Sequence, residues 1–213
     1  MSFFFALLFI VLVFWRPQEW LVPWLYGYPL LYVVVAASCL ALIQEHDLKW
    51  LRDLFKRPLS LMFLGLLVAA LMSHVSLTGI YFDGVRRAFE EVWKLCFFAI
   101  LLFGVTDRPS RLRAIAVAFV VMAGVMAVHA LMQQRLGYGF MGWGPIYQPV
   151  LGTDEYMSRS LFFGIFGDPN DLAQILATAI PFAFVMTKRQ GLGSWLLGAG
   201  ATALLVGGIL ATR

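Results

Sequence analysis

Charge is scarce in this chain: Asp, Glu, Lys and Arg together make up 13% of its 213 residues. A soluble domain carries roughly twice that share. The sixteen basic residues leave a formal charge of +4, but they are scattered between apolar runs and never gathered into a stripe, which argues against nucleic acid as a partner. Only two cysteines occur, Cys39 and Cys96, each inside an apolar run, so neither a disulfide framework nor a cysteine metal cluster is indicated. No HExxH or cysteine–histidine spacing accompanies His74 or His129. No metal and no cofactor are therefore expected. The N-terminal run MSFFFALLFIVLVFW lacks the basic start and small-residue cleavage site of a signal peptide, and reads as a retained first helix.

What is abundant is apolar surface, with 61% hydrophobic residues and a mean hydropathy of +0.82. These values predict an integral membrane protein, an all-α polytopic bundle in a single transmembrane domain over residues 1–213. Apolar runs bounded by charges fall at 2–15, 29–43, 59–80, 94–105, 114–134, 160–187 and 194–211, giving about seven spans. With a cytoplasmic N-terminus the inner loops hold Lys49, Arg52, Lys56, Arg57, Arg108, Arg111, Arg113, Lys188 and Arg189. The outer side then holds Arg16, Arg86, Arg87, Lys94, Arg135, Arg159 and Arg213, so the positive-inside bias favours this orientation only slightly. Residues 44–58, QEHDLKWLRDLFKRP, set Leu48, Leu51 and Leu54 at helical spacing among basic residues, as in an amphipathic helix on the cytoplasmic leaflet.

The outer arginines exceed what topology requires, which suggests an anionic partner. Arg86 and Arg87 also stand one turn before Glu90 and Glu91, where simple intrahelical pairing would account for them. The outer loop, residues 135–158, spells G-x-G-x-x-G from Gly137 to Gly142, but no strand–helix context supports a dinucleotide site. Its Trp143, Tyr147 and Tyr156 suit interfacial anchoring or stacking on sugar rings. Asp154 and Glu155 are a solvated pair or a general base for an acceptor hydroxyl. Gly198 and Gly200, with Ser194 and Thr202, predict a small-residue packing face on the last span.

The stretch GIFGDPNDLA, residues 164–173, is the most informative. A helix starting at Pro169 would have Asp168 as its N-cap, proline at the favoured first position and Asp171 near the positive end of its dipole. Residues 160–167 would then be a non-helical approach, tolerable at membrane depth only if protein or a wet cavity covers it. Arg159 beside such a helix start could clamp a phosphate; alternatively, Asp168 and Asn170 only cap, and Arg159 reaches to the interface.

Arg159 followed by Gly164, Phe166, Asp168, Pro169, Asn170 and Ala173, ahead of an apolar helix with Pro181, resembles the signature of the O-antigen ligase and polymerase-like membrane family. Arg16-Pro17-Gln18-Glu19 after the first helix, Lys94 opening a span, and Asp107-Arg108-Pro109 closing it are similar too. The resemblance implies a GT-C-like bundle in the bacterial inner membrane. Such a protein transfers a glycan from an undecaprenyl diphosphate carrier to lipid A-core, a growing glycan or a protein at the periplasmic face, without metal or nucleotide. It implies that arginines neutralise the carrier diphosphate: Arg159 first, with Arg86, Arg87 and Lys94 as further candidates. Family members are about twice as long and carry a histidine-bearing periplasmic loop. The chain is thus expected to be an N-terminal part of a larger bundle, inactive alone, and the catalytic residues stay unassigned. A glycan-lipid transporter or a non-catalytic envelope scaffold are the alternatives.

Overall fold

Proline sets the starts of four helices, at Pro17, Pro58, Pro109 and Pro169, where its missing amide costs nothing and its fixed φ already suits the helix. A computed structural model describes the whole chain except residues 26, 47, 77–78, 151, 153–154 and 187–190. The readings placed on Asp154, Lys188 and Arg189, and those on the side chains of Leu48, Leu51 and Glu91, lie outside the described residues.

The protein is mostly helical. In chain order the helices are α1 (Ser2–Trp15), α2 (Pro17–Trp20), α3 (Leu30–Glu45), α4 (Leu48–Lys56), α5 (Pro58–Met72), α6 (Phe82–Val105), α7 (Pro109–Leu136), α8 (Pro169–Met186) and α9 (Leu192–Ala211). Two of them, α7 and α9, are long and apolar enough to cross a membrane; α1, α3 and α5 are apolar but shorter, at 14, 16 and 15 residues. Two antiparallel hairpins interrupt the helices. One pairs β1 (Val75–Ser76) with β2 (Gly79–Ile80), the other β3 (Ile146–Pro149) with β4 (Tyr156–Arg159), with Ile146 opposite Arg159 and Pro149 opposite Tyr156.

Two runs differ from the hydropathy reading. The run 59–80 is not one helix: α5 stops at Met72, the Ser73 hydroxyl donates to the Ala70 carbonyl, and the β1–β2 hairpin follows. Serine, threonine and glycine in residues 73–79 favour a turn while hardly lowering the average hydropathy. Conversely, α6 begins at Phe82 rather than near residue 94. Its charged first half carries an exposed Arg86–Glu90 pair at i, i+4, a small support that counting apolar residues cannot register.

The chain divides into two compact units, Met1–Phe9 with Leu30–Arg111, and Ile10–Pro29 with Leu112–Arg213. In the first, Ala6, Leu42, Leu101 and Val105 form the core, and Phe9 packs its ring against Phe98. Leu54 of α4 is buried and fills the notch left by Gly104, where a Cβ would stand 2.8 Å from its methyl group. The carboxylate of Glu45 accepts from the Ser2 amide and hydroxyl and from the terminal amine of Met1, holding the start of α1 to the end of α3.

In the second unit α7, α8 and α9 share a core of Val120, Ala123, Met126, Ala127, Leu172, Leu176, Ala179 and Leu205. Small residues let these helices approach closely. The tight point is Gly208, where a Cβ would lie 2.7 Å from that of Ala127 and 2.9 Å from a methyl of Leu176. Of the glycines expected to pack, Gly198 is buried but Gly200 faces open space, and the Ser194 and Thr202 hydroxyls bond back to their own helix. The close-packed point is thus two to three turns further along α9 than composition indicates.

Gly208→Leu should overpack this contact and cost about 1–3 kcal/mol. Thermal unfolding in detergent should fall clearly for Gly208→Leu and stay near the parent for Gly200→Leu; equal effects would contradict the packing described.

Candidate functional site

Within the second unit, the non-helical chain between α7 and α8 must place its backbone polar groups somewhere, and α7 supplies two polar side chains to receive them. His129 and Gln133 are one turn apart on α7 and both fully buried. The Gln133 amide group donates to the carbonyls of Trp143 (3.3 Å) and Gly144 (3.2 Å), while its oxygen accepts from the amide of Leu161 at 3.0 Å. His129 Nδ1 accepts from the amide of Phe140 at 3.0 Å. A proton on Nε2 completes that neutral tautomer. Around the imidazole stand the rings of Phe140, Phe162 and Phe163, with centroids 5.0–5.2 Å away. Gly139 closes the box, because a Cβ there would collide with the imidazole. The G-x-G-x-x-G loop thus makes room for a histidine. His129 is walled in by protein, in a structural role facing a loop rather than another helix.

Residues 160–163 are non-helical and buried, and Phe166 is buried as well, whereas Gly164 and Gly167 are exposed. The Ser160 amide donates to the Ala211 carbonyl at 3.3 Å and its hydroxyl to that of Ala130 at 2.9 Å. The Phe162 amide donates to the Phe166 carbonyl at 2.9 Å across a short 3₁₀ turn, Gly164–Phe166. Gly164 has φ +70°, a conformation that other residues resist, and the Arg16 side chain lies directly over its Cα. Arg16 itself has φ 44° at the entry to α2. Phe162, Phe163 and Phe166 are buried, and Phe163 stacks on Trp20 at 5.3 Å.

At the start of α8 the Asp168 carboxylate accepts from the Asn170 amide at 2.7 Å, and its carbonyl accepts the first helical bond, from Leu172. Asp168 is therefore the N-cap and Pro169 the first helical residue, with Asn170 left free to use its side chain. The Asn170 carbonyl oxygen accepts from Arg159 Nη2 at 3.0 Å. Arg159 Nη1 donates to Gln148 at 2.9 Å, and Nε donates to the Thr212 carbonyl at 2.9 Å. One guanidinium thus joins β3, the start of α8 and the end of α9. All three acceptors are neutral, and no carboxylate among the described residues lies within ion-pair distance of Arg159. Two of its five N–H groups have no acceptor among the described residues. Beside it is a cleft of about 250 Å³ lined by Gln148, Pro149, Val150, Met157, Arg159 and Arg213.

The sequence-predicted residues Arg159, Gly164, Phe166, Asp168, Pro169 and Asn170 belong to this one unit. Arg86, Arg87 and Lys94 lie on α6 of the other. Arg86 donates to Glu90 at 3.0 Å with both side chains exposed, the intrahelical pairing weighed against a site. Arg87 and Lys94 are exposed and seven residues apart, hence on one face of α6. Trp143 rests its ring 4.8 Å from Phe163, whereas Tyr147 and Tyr156 project from the β3–β4 hairpin, 67% and 70% exposed. Sequence reasoning missed Gln133, Gln148 and Arg213. A signal for the first existed: two polar residues at i, i+4 inside an otherwise apolar helix.

The chain matches none of the protein-family models, curated proteins or solved structures with which it was compared.

Removing the Gln133 acceptor should leave the Leu161 amide buried and unpaired, at about 1–3 kcal/mol. In Gln133→Leu, hydrogen exchange at Leu161 should accelerate roughly tenfold to a hundredfold. Gln133→Glu, which retains the acceptor oxygen, should protect Leu161 better than Gln133→Leu does; equal exchange in the two would show that this bond is not what holds the segment.

Proposed function

We propose that this protein binds a polyprenyl-diphosphate-linked glycan at the Arg159 cleft and acts in glycan transfer at the outer face of a bacterial inner membrane, as an O-antigen ligase- or polymerase-like glycosyltransferase. The observation that carries the reading is the state of Arg159: fixed in place by Gln148, Asn170 and Thr212, yet with its charge met by no carboxylate among the described residues. Arg159 is half-buried, so its charge is only partly hydrated and an anionic partner would stabilise it. Here it faces a cleft shared with Arg213, at a helix start whose dipole also favours an anion.

Chemically, breaking the bond between the sugar and the carrier phosphate leaves negative charge on the departing diphosphate. Donors fixed beforehand stabilise that charge without reorganising. Arg159 meets this requirement because its tether sets the guanidinium plane, leaving one N–H on each terminal nitrogen for phosphate oxygens. The exposed Tyr147 and Tyr156 offer flat apolar faces for sugar rings. Asp168, Pro169, Asn170 and Gly164 shape the support rather than contact the donor. The acceptor is lipid A-core, a glycan or a protein.

The same reading takes α1, α3, α5, α6, α7, α8 and α9 as seven spans, with the N-terminus cytoplasmic. At 1.5 Å per residue the 14 to 16 residues of α1, α3 and α5 reach about 21–24 Å, short of the roughly 30 Å hydrocarbon core. The bilayer would thin around them. Leu54, buried against Gly104, gives α4 a hold on its own unit in addition to the lipid surface.

The purified chain in detergent should bind undecaprenyl diphosphate in preference to undecaprenol. Losing one charge-assisted contact, at about 1.5–3 kcal/mol, should weaken diphosphate binding roughly tenfold to a hundredfold in Arg159→Gln. Gln148→Leu, which loosens the tether and keeps the charge, should retain the preference for diphosphate. Equal affinity for the diphosphate and the alcohol would end this reading.

A further inference from the structure

The first unit contains a second polar cleft that this assignment does not use. It lies between α5 and α6 and is lined by Ala70, Ser73, His74, Tyr81, Gly84, Arg87, Ala88 and Val92. Its volume of about 440 Å³ falls within the range of about 300–1,000 Å³ common for small-molecule sites. Gly84 makes the cleft possible, since a Cβ at that position would run into the Tyr81 ring and stand 2.6 Å from His74 Nδ1.

The lining is divided by chemistry. His74, Tyr81 and Arg87 bring an imidazole, a phenol and a guanidinium. Ser73 adds little as a donor, because its hydroxyl already donates to the Ala70 carbonyl at 2.7 Å. The rest of the wall is Ala70, Ala88 and Val92, with no polar side-chain atom.

Arg87 is the informative residue. Asp83, Glu90 and Glu91 all lie about one turn from it: Glu90 is taken by Arg86, the Glu91 side chain lies outside the described residues, and no carboxylate among the described residues comes within ion-pair distance of Arg87. A cation lining the same cleft as an apolar trough of Ala70, Ala88 and Val92 is complementary to a ligand with an anionic head and a hydrocarbon tail.

We propose that the α5–α6 cleft binds an anionic phospholipid, its phosphate held by Arg87 with the Tyr81 hydroxyl and His74, and one acyl chain lying along Ala70, Ala88 and Val92. The site is independent of the Arg159 cleft and of the glycan-transfer reading. Its ligand is recognised by one phosphate charge together with a chain, which a free phosphate lacks.

The test is native mass spectrometry of the delipidated full chain in detergent, titrated with phosphatidylglycerol. One lipid should bind at least tenfold more tightly than phosphatidylcholine, Arg87→Gln should abolish that preference, and Arg86→Gln, which removes the same charge one residue away, should keep it. Ala88→Leu, which fills the trough and leaves the charges, should also weaken phosphatidylglycerol. Several results would overturn the proposal: unchanged binding in Arg87→Gln, no selectivity over phosphatidylcholine, or glycerol phosphate binding as tightly as the lipid, which would make the ligand a soluble phosphate. Undecaprenyl diphosphate displacing phosphatidylglycerol from this cleft at equal concentration would assign the site to the donor and equally overturn it.

Discussion

The interaction on which the non-helical part of the second unit depends is the three-way bonding of Gln133. Between α7 and α8 the chain leaves helical structure for about thirty residues, and each backbone amide and carbonyl there needs a partner. In water the solvent supplies one. At membrane depth only protein can, and the cost of failure is several kcal/mol per group. Gln133 suits the task because its side chain carries a donor and an acceptor in the same pattern as a peptide group, so one buried residue can serve Trp143, Gly144 and Leu161 at once. His129 adds an acceptor one turn earlier. With these two in place the loop packs its aromatic rings against α7, and the start of α8 is held where Arg159 can reach it.

That dependence gives Arg159 two roles of different kinds. As architecture, it ties the hairpin to both neighbouring helices through neutral oxygens. As electrostatics, it keeps its charge available. The contrast with Arg86 is instructive, since an exposed arginine at i, i+4 from a glutamate is already neutralised and contributes little either way. Distinguishing these cases requires partners, and residue type alone does not supply them.

The sequence reveals those features whose causes are local. Asp168 before Pro169 could be read as a cap because capping involves only the next three residues, and a separate approach to that helix followed from the excess length of the run, although Gly164 and Gly167 are exposed rather than covered. The Arg159–Thr212 bond joins residues 53 apart and has no local signature. Gly208 was missed for a related reason. In a helix apolar on every side, no stripe marks the packed face, so Gly198, Gly200 and Gly208 look alike until their neighbours are known. Of the residues proposed for anion contact, Arg159 belongs to one compact unit and Arg86, Arg87 and Lys94 to the other, a division with no mark in the chain pattern.

The long separation of the Arg159 and Ser160 partners also fixes an order of assembly. Gln133 can engage Leu161 as soon as that residue has been synthesised, whereas the bonds to Ala211 and Thr212 must wait for the end of α9. A nascent chain lacking its last twenty residues therefore carries the hairpin fastened on one side only, with the guanidinium short of its third oxygen. The cleft beside Arg159 therefore takes its form only after α9 has joined α7 and α8.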